Sequence, residues 1–290
     1  MQGVITWVKN LFYSKLVGPV LPVRWFAPEP LTESQLTPAP KPPTVTLEIV
    51  AHCWQYSHLL IYQLSSLINY PPQKVRVIYT LYYAEEDAAT VALINHVNKK
   101  SVPGVTWQWR PLSRTSLQRR AIGRHHAARS TQADWVWFTD CDLIFHLQCL
   151  DTLATSLAGV NTGLLYPDHE FITPLLPADH ASLHKGAPGY IPADIDPELF
   201  SRHDIKRAKG AFQIVHGDVA RHSGYCGTVG LYQTPVTHWR KTFEDTAFRN
   251  LIGFQGQPIA ITGLYRFRHR QKGRYGKASR WSELRKRLRR

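Results

Sequence analysis

The sequence predicts an α/β protein built on a mostly parallel sheet flanked by helices. Two observations carry this. Between residues 45 and 138, short β-branched and aromatic runs alternate with segments whose apolar residues recur at helical spacing, and that alternation implies parallel strands joined by right-handed crossovers. One of those runs, Trp135-Val136-Trp137-Phe138, is continuously apolar and leads into Asp140-Cys141-Asp142, which suits a strand buried on both faces that delivers charge to a sheet edge. At 290 residues, with 43% hydrophobic side chains, the chain can bury one large core.

In chain order, the N-terminal segment 1–43 comes first. Its apolar positions 4, 5, 8, 11, 12 and 16 fall near helical spacing with Lys9 and Lys15 left to face water, which predicts a short amphipathic helix, packed on the parent domain or lying on a membrane surface. Pro28, Pro30, Pro38, Pro40, Pro42 and Pro43 then mark an extended linker. The main domain is expected over 44–270. It opens with a strand at 45–51 and a helix at 56–70 that Pro71-Pro72 terminate. A strand at 75–81, a helix at 85–99, a strand at 105–109 and a helix at 117–131 follow, before the strand at 135–138. Beyond it the pattern predicts a helix at 147–158 and a strand at 163–166. Residues 167–205, rich in Pro, His and Asp and without periodicity, read as a long loop over a binding face. A strand at 211–217, a helix from near Thr242 and a last strand at 259–267 complete the domain. A basic tail, 271–290, ends the chain.

The net charge of +14 is concentrated at that end: residues 266–290 hold twelve Lys or Arg against the single acid Glu283, so the rest of the chain is close to neutral. Such a tail suits an anionic partner, either nucleic acid or an anionic membrane surface. No nucleic-acid motif accompanies it, whereas Trp281, Leu284 and Leu288 form an apolar stripe among the cations, which favours the membrane surface. Cys53, Cys141, Cys149 and Cys226 show neither a disulfide framework nor zinc-ligand spacing, which fits a reducing cytoplasm, and no apolar run is long enough to span a bilayer.

The acidic pair has company. Arg119-Arg120-Ala121-Ile122-Gly123-Arg124-His125-His126-Ala127-Ala128 is a basic helix rich in small residues just before the acidic strand, and Phe243-Glu244-Asp245-Thr246 supplies a second acidic pair about a hundred residues later. Together with the opening strand and its Leu-rich helix, this order and spacing resembles the family 2 glycosyltransferases with the GT-A fold, over roughly residues 45–270. The resemblance implies a Rossmann-like nucleotide-binding half fused to an acceptor half. It also implies a metal-dependent inverting transfer of a sugar from a nucleotide-diphosphate donor to a saccharide or lipid-linked acceptor.

The resemblance assigns roles residue by residue. Asp142 is the expected direct ligand of Mn²⁺ or Mg²⁺, and Asp140 a contact to ribose or a metal-bound water. A divalent cation would neutralise the charge developing on the leaving diphosphate. Arg120 and Arg124 are candidate phosphate contacts, or else a solvated helix face. Asp245 is the candidate general base, with Glu244 beside it to bind acceptor or start a helix; Thr242-Phe243-Glu244-Asp245 also resembles a capping box. His269 lies where related enzymes carry a late metal-binding histidine, although here it sits among cations. Two stretches depart from the family pattern. Thr80 to Asp87 lacks the usual Asp-rich turn, so that either Glu85, Glu86 and Asp87 replace it or nucleotide recognition differs from the family's, and Ala51-His52-Cys53-Trp54 replaces a small or Pro-containing turn. Trp54 or Tyr56 stacks on a base or packs in the core. Two other classes compete: a nucleotidyltransferase using the same carboxylate chemistry, and a basic protein that binds nucleic acid or an anionic surface through its tail.

Overall fold

A computed structural model describes residues 44–160, 162–177, 179–183, 193–238 and 242–269, together with Val8 and Phe12. The expected N-terminal helix, apart from those two exposed side chains, and the expected basic tail lie outside the described residues.

Strand β1 (Val45–Cys53) is buried along almost its whole length, as its run of apolar and β-branched residues requires. Helix α1 (Ser57–Asn69) is buried on every side from Leu59 to Leu67 and therefore sits inside the molecule. Strand β2 (Val75–Tyr83) follows, then α2 (Ala88–Val97), β3 (Val105–Pro111), a single turn α3 (Arg114–Leu117), α4 (Arg120–Ser130) and β4 (Trp135–Phe138). The one helix expected at 117–131 is thus two, because the Ser113 hydroxyl caps the first turn and the backbone leaves helical geometry at Arg119. Helix α2 starts later than expected, at Ala88, because Asp87 is its N-cap.

The chain continues through β5 (Leu143–Phe145), α5 (Cys149–Leu157), β6 (Leu164–Pro167), β7 (His169–Ile172), β8 (Ser201–Asp204), β9 (Gln213–His216), α6 (Gly217–Ser223), α7 (Gly230–Gln233), α8 (Glu244–Ile252), β10 (Gln257–Ile259) and β11 (Leu264–Arg266). The large sheet has the order β10-β6-β9-β4-β1-β2-β3, with β9 antiparallel to both its neighbours and the remaining pairs parallel. The expected mostly parallel sheet flanked by helices is what the structure shows. A second sheet, β5-β11-β7-β8, stands beside it. One apolar cluster running from Leu47 to Phe267 serves both.

Two expectations are corrected by this second sheet. The stretch 167–205 is not all loop: it contributes β7 and β8, an antiparallel pair with His169 opposite Asp204 and Phe171 opposite Arg202. Their residues are too polar to show a strand period, and β8 is exposed throughout. The single strand expected at 259–267 is two: β10 joins the edge of the large sheet, while β11 pairs with β5 and β7 in the small one. Gly263, at φ +67°, turns the chain between them, and a Cβ there would overlap the backbone carbonyl of Leu147.

Candidate active site

The strand order places a topological switch between β1 and β4. From β1 the chain moves outward to β2 and β3, then returns across to β4 on the other side of β1. Crevices beyond the carboxyl ends of strands at such a point are where open α/β sheets bind ligands. A pocket of about 330 Å³, counting its open mouth, lies there, lined by His52 and Cys53 at the end of β1, Trp54 and Tyr56 just after it, Cys141 after β4, and Leu117, Gln118 and Arg120 from α3, α4 and the turn between them. Helix α4 approaches this closely because it is built of small residues: a Cβ at Gly123 would overlap the His52 ring, which stacks on Tyr82 with centroids 5.1 Å apart. At the pocket rim, the Arg114 guanidinium lies over the Trp54 ring, 5.0 Å from its centroid.

Asp140-Cys141-Asp142 occupies the turn by which the chain leaves the large sheet at β4 and enters the small sheet at β5. The turn is held from below by Gln63, a fully buried residue of α1 whose side-chain amide donates to the carbonyls of Asp140 at 3.0 Å and Leu143 at 2.8 Å. Tyr79 on β2 donates to the Gln63 side-chain oxygen at 2.5 Å and so fixes which way the amide points. Ser66, one turn further along α1, accepts from Phe145 N at 3.1 Å.

The carboxylate of Asp140 is ion-paired with Arg120, and Arg124 Nη2 lies 3.7 Å from the same oxygen. Arg120 also reaches Glu244, with Nε 3.6 Å from Oε1. Burial opposes the charge on Arg120, but the Asp140 and Glu244 carboxylates outweigh it and raise its pKa above the ordinary arginine value. Arg124 is not on a solvated face: it has no exposed surface, donates to the Tyr225 hydroxyl at 2.9 Å and to the Gly210 carbonyl at 3.2 Å, and lies over the Tyr225 ring at 5.2 Å. Arg120 therefore faces the pocket, and Arg124 stands behind it as a buried counter-charge.

Glu244 and Asp245 form the first turn of α8, where acids complement the helix dipole. The capping box does not form, because the N-cap is Phe243 and makes no side-chain cap bond. Asp245, half-buried, accepts from Gly210 N at 3.1 Å through its carboxylate and from the Gln213 side-chain amide at 3.2 Å through its backbone carbonyl. Glu244 is almost wholly buried. The structure thus brings Asp140, Arg120, Arg124 and Glu244 into one charged cluster, with Asp245 at its edge.

Asp142 is half-buried in the turn, and its charge reaches Arg266 on β11. Burial opposes the Arg266 charge, but Glu170, in a bidentate pair at 2.6 and 2.8 Å, together with Asp142 and Asp140 raises its pKa above the ordinary value. His269 is buried, with its ring 5.8 Å from Tyr56 and 6.5 Å from His58. Among the described residues, no three His, Cys, Asp or Glu side chains close into a protein-only metal site. Asp87 caps α2 through Thr90 and accepts from Gln55 N at 2.6 Å, pinning the turn after β1 that carries the pocket residues. All four cysteines are free and buried.

Sequence reasoning did not single out Gln63, Gln213, Tyr225, Glu170 or Arg266 for the site. Gln63 carried a signal, since it is an amide on an otherwise apolar helix stripe. The others become neighbours of the acidic turn only through tertiary contacts.

No family model matches the chain. No curated protein matches it either. Among solved structures it is similar to S. aureus TarS 1-349 in complex with UDP, at 12% identity and a TM-score of 0.46, over 77% of this chain and 60% of that one. It is also similar to S. aureus TarS 1-349 in complex with UDP-GlcNAc, at 10% identity and a TM-score of 0.47, over 81% and 61%. The chain spans about three fifths of the length of the structures it matches.

Proposed function

We propose that the protein is a glycosyltransferase that takes its sugar from a nucleoside-diphosphate donor and transfers it with inversion to an acceptor hydroxyl, a saccharide or lipid-linked one. The observation that carries this reading is the acidic turn Asp140-Cys141-Asp142, standing at the β1/β4 switch beside a pocket with aromatic walls and joined through Arg120 to a second acidic pair on α8. A nucleotide suits the pocket chemically: the half-buried Trp54 offers an aromatic ring to a base, and Arg120 offers a guanidinium to phosphate, while Tyr56 packs in the core.

The residues divide into two sides. On the donor side, Arg120 balances the diphosphate. Asp142 would hold a Mn²⁺ or Mg²⁺ ion, with Asp140 as its neighbour and His269 as a further candidate. Cations of this type take one or two carboxylates and complete their shell with water and substrate phosphate oxygens, so a turn with two carboxylates suits one. When bound, the metal supplies positive charge to the leaving diphosphate. On the acceptor side, Asp245 accepts the hydroxyl proton as that oxygen bonds to the anomeric carbon and the bond from that carbon to the diphosphate oxygen breaks. Glu244, tied to Arg120, keeps the base turn in register with the donor turn.

No described helix is long and apolar enough to cross a membrane. Peripheral attachment through the basic tail, in the cytoplasm, remains part of the proposal and rests on the sequence alone. The test is a panel of nucleotide sugars and of nucleoside diphosphates, with and without Mn²⁺ or Mg²⁺, read as thermal stabilisation and then as product release. Stabilisation by at least one nucleotide sugar with release of the nucleoside diphosphate is expected. Release of inorganic pyrophosphate would identify a nucleotidyltransferase instead, and stabilisation by none would remove the reading.

A further inference from the structure

Asp140 on the donor turn and Asp245 on α8 are connected through side chains twice, beside a route through the Gly210 backbone, whose carbonyl accepts from Arg124 Nη2 at 3.2 Å and whose N–H donates to the Asp245 carboxylate at 3.1 Å. One connection is the Arg120 bridge to Glu244. The second runs entirely through the interior. Arg124 Nη2 lies 3.7 Å from Asp140, and Arg124 Nη1 donates to the Tyr225 hydroxyl at 2.9 Å. Tyr225 donates to the Gln213 side-chain oxygen at 2.8 Å, and the Gln213 amide donates to the Asp245 carbonyl at 3.2 Å. Arg124, Tyr225 and Gln213 have no exposed surface.

Each link has one workable polarity. Arginine only donates, so the Tyr225 oxygen must accept from it and spend its own proton on Gln213; the Gln213 amide, accepting at its oxygen, then has its nitrogen for Asp245. Burial holds the Tyr225 phenol well above its ordinary pKa despite the nearby Arg124 charge, so the proton stays in place. The ring is fixed independently, stacked on Phe248 of α8 at 4.4 Å and edge-on to Phe138 at 4.9 Å. Such a chain transmits position, because a shift of α8 strains a hydrogen bond and a shift of the acidic turn strains an ion pair, each to a fully buried side chain.

We propose that Tyr225 and Gln213 are positioning residues that couple the donor turn to the base-bearing turn of α8, so that filling the donor side orders Asp245. This rests on the glycosyltransferase reading but is testable apart from it. The variant is Tyr225→Phe, which removes one oxygen and keeps the ring stack, with Gln213→Leu and the double variant beside it. The probes are UDP, ADP and GDP with Mg²⁺ or Mn²⁺, and the readout is amide hydrogen exchange across α8 alongside nucleotide affinity. In the wild type, the nucleotide that stabilises the protein should slow exchange in α8. Tyr225→Phe should bind that nucleotide within about twofold of wild type while α8 gains no protection, and turnover should fall on the order of tenfold or more with little change in donor KM. The double variant should be no worse than either single one, since both cut the same chain. Full nucleotide-dependent protection of α8 in Tyr225→Phe, or additive losses in the double variant, would overturn the coupling. If no nucleotide binds the wild type, the glycosyltransferase reading fails by itself. The coupling is then read without ligand, as faster exchange confined to α8 and the acidic turn in Tyr225→Phe, and acceleration spread evenly over the sheet would sink it.

Discussion

The Gln63 side-chain amide reaches across from α1 and donates to the backbone carbonyl of Asp140 at 3.0 Å. With its second hydrogen on Leu143 O and its oxygen filled by Tyr79, this one amide satisfies three buried groups around the acidic turn. Gln63→Leu keeps the volume and removes all three bonds. Leaving buried polar groups unpaired costs about 1–3 kcal/mol each, so a loss of roughly 3 kcal/mol or more is expected, checked by urea unfolding. Nucleotide affinity should fall with it, because the turn loses its support.

Asp142→Ala separates the metal from the rest of the donor site. A ligand present at about 100 times its Kd raises stability by about 2.7 kcal/mol. The variant should lose most of the stabilisation that appears only when Mn²⁺ or Mg²⁺ accompanies the nucleotide sugar, in a thermal melt. Equal stabilisation with and without Asp142 would remove it as the metal ligand.

Asp245→Asn should retain donor binding and lose transfer by on the order of 10²–10⁴-fold, the usual contribution of a general base. Its hydrogen bond from Gly210 N survives in the amide, so the fold should hold. Glu244→Gln is the control, with a smaller loss. A larger loss in Glu244→Gln, with Asp245→Asn near wild type, would exchange the two roles.

Arg120→Met leaves Asp140 and Glu244 facing each other without the cation between them. Removing one partner from a buried ion pair is costly because it strands the opposite charge, and roughly 3 kcal/mol of destabilisation is expected in denaturant unfolding. Arg120→Lys should restore only part of it, since an ammonium cannot present a fork to two carboxylates.

Acid sensitivity should arise in part at His125. Burial, with His126 and Arg129 nearby, holds its pKa below the ordinary 6.5, and its Nδ1 accepts from Tyr225 N at 3.1 Å. The unfolded chain therefore takes up the proton first as pH falls, so the stability from neutral His125 is present above 6.5 and is lost as pH drops from there toward the lower folded value. His125→Asn, which keeps an acceptor but does not titrate, should flatten the fall in melting temperature between about pH 7 and pH 5. An unchanged pH profile in that variant would assign the acid sensitivity elsewhere.

How much was legible in advance follows from how local each signal is. Strand β4 was placed to the residue, because Trp135 to Phe138 is a continuous apolar run with sharp ends. Strands β1, β2 and β3 were found with ends two residues short, since Cys53, Tyr83 and Pro111 continue the pairing without adding to the apolar pattern. The β7–β8 pair was missed because His169, Glu170, Arg202, His203 and Asp204 carry no strand period and pair across about thirty residues. The site divides the same way. Asp140, Arg120 and Glu244 are legible as short motifs, and the structure gathers them. Arg124 reads in the sequence as a phosphate contact or a solvated cation, and α4 instead packs it into the interior behind Asp140.

The sequence by itself determined the alternating α/β order, the acidic turn after a buried strand, and the concentration of charge in the last residues, because each is written in neighbours along the chain. Only the tertiary structure decided that the turn joins two sheets, that Gln63 holds it, and that Arg120 and the Arg124-Tyr225-Gln213 chain tie it to α8. Those contacts close loops of 12 to more than a hundred residues, and their partners are chosen by burial and hydrogen-bond satisfaction in the packed interior, which no local pattern encodes.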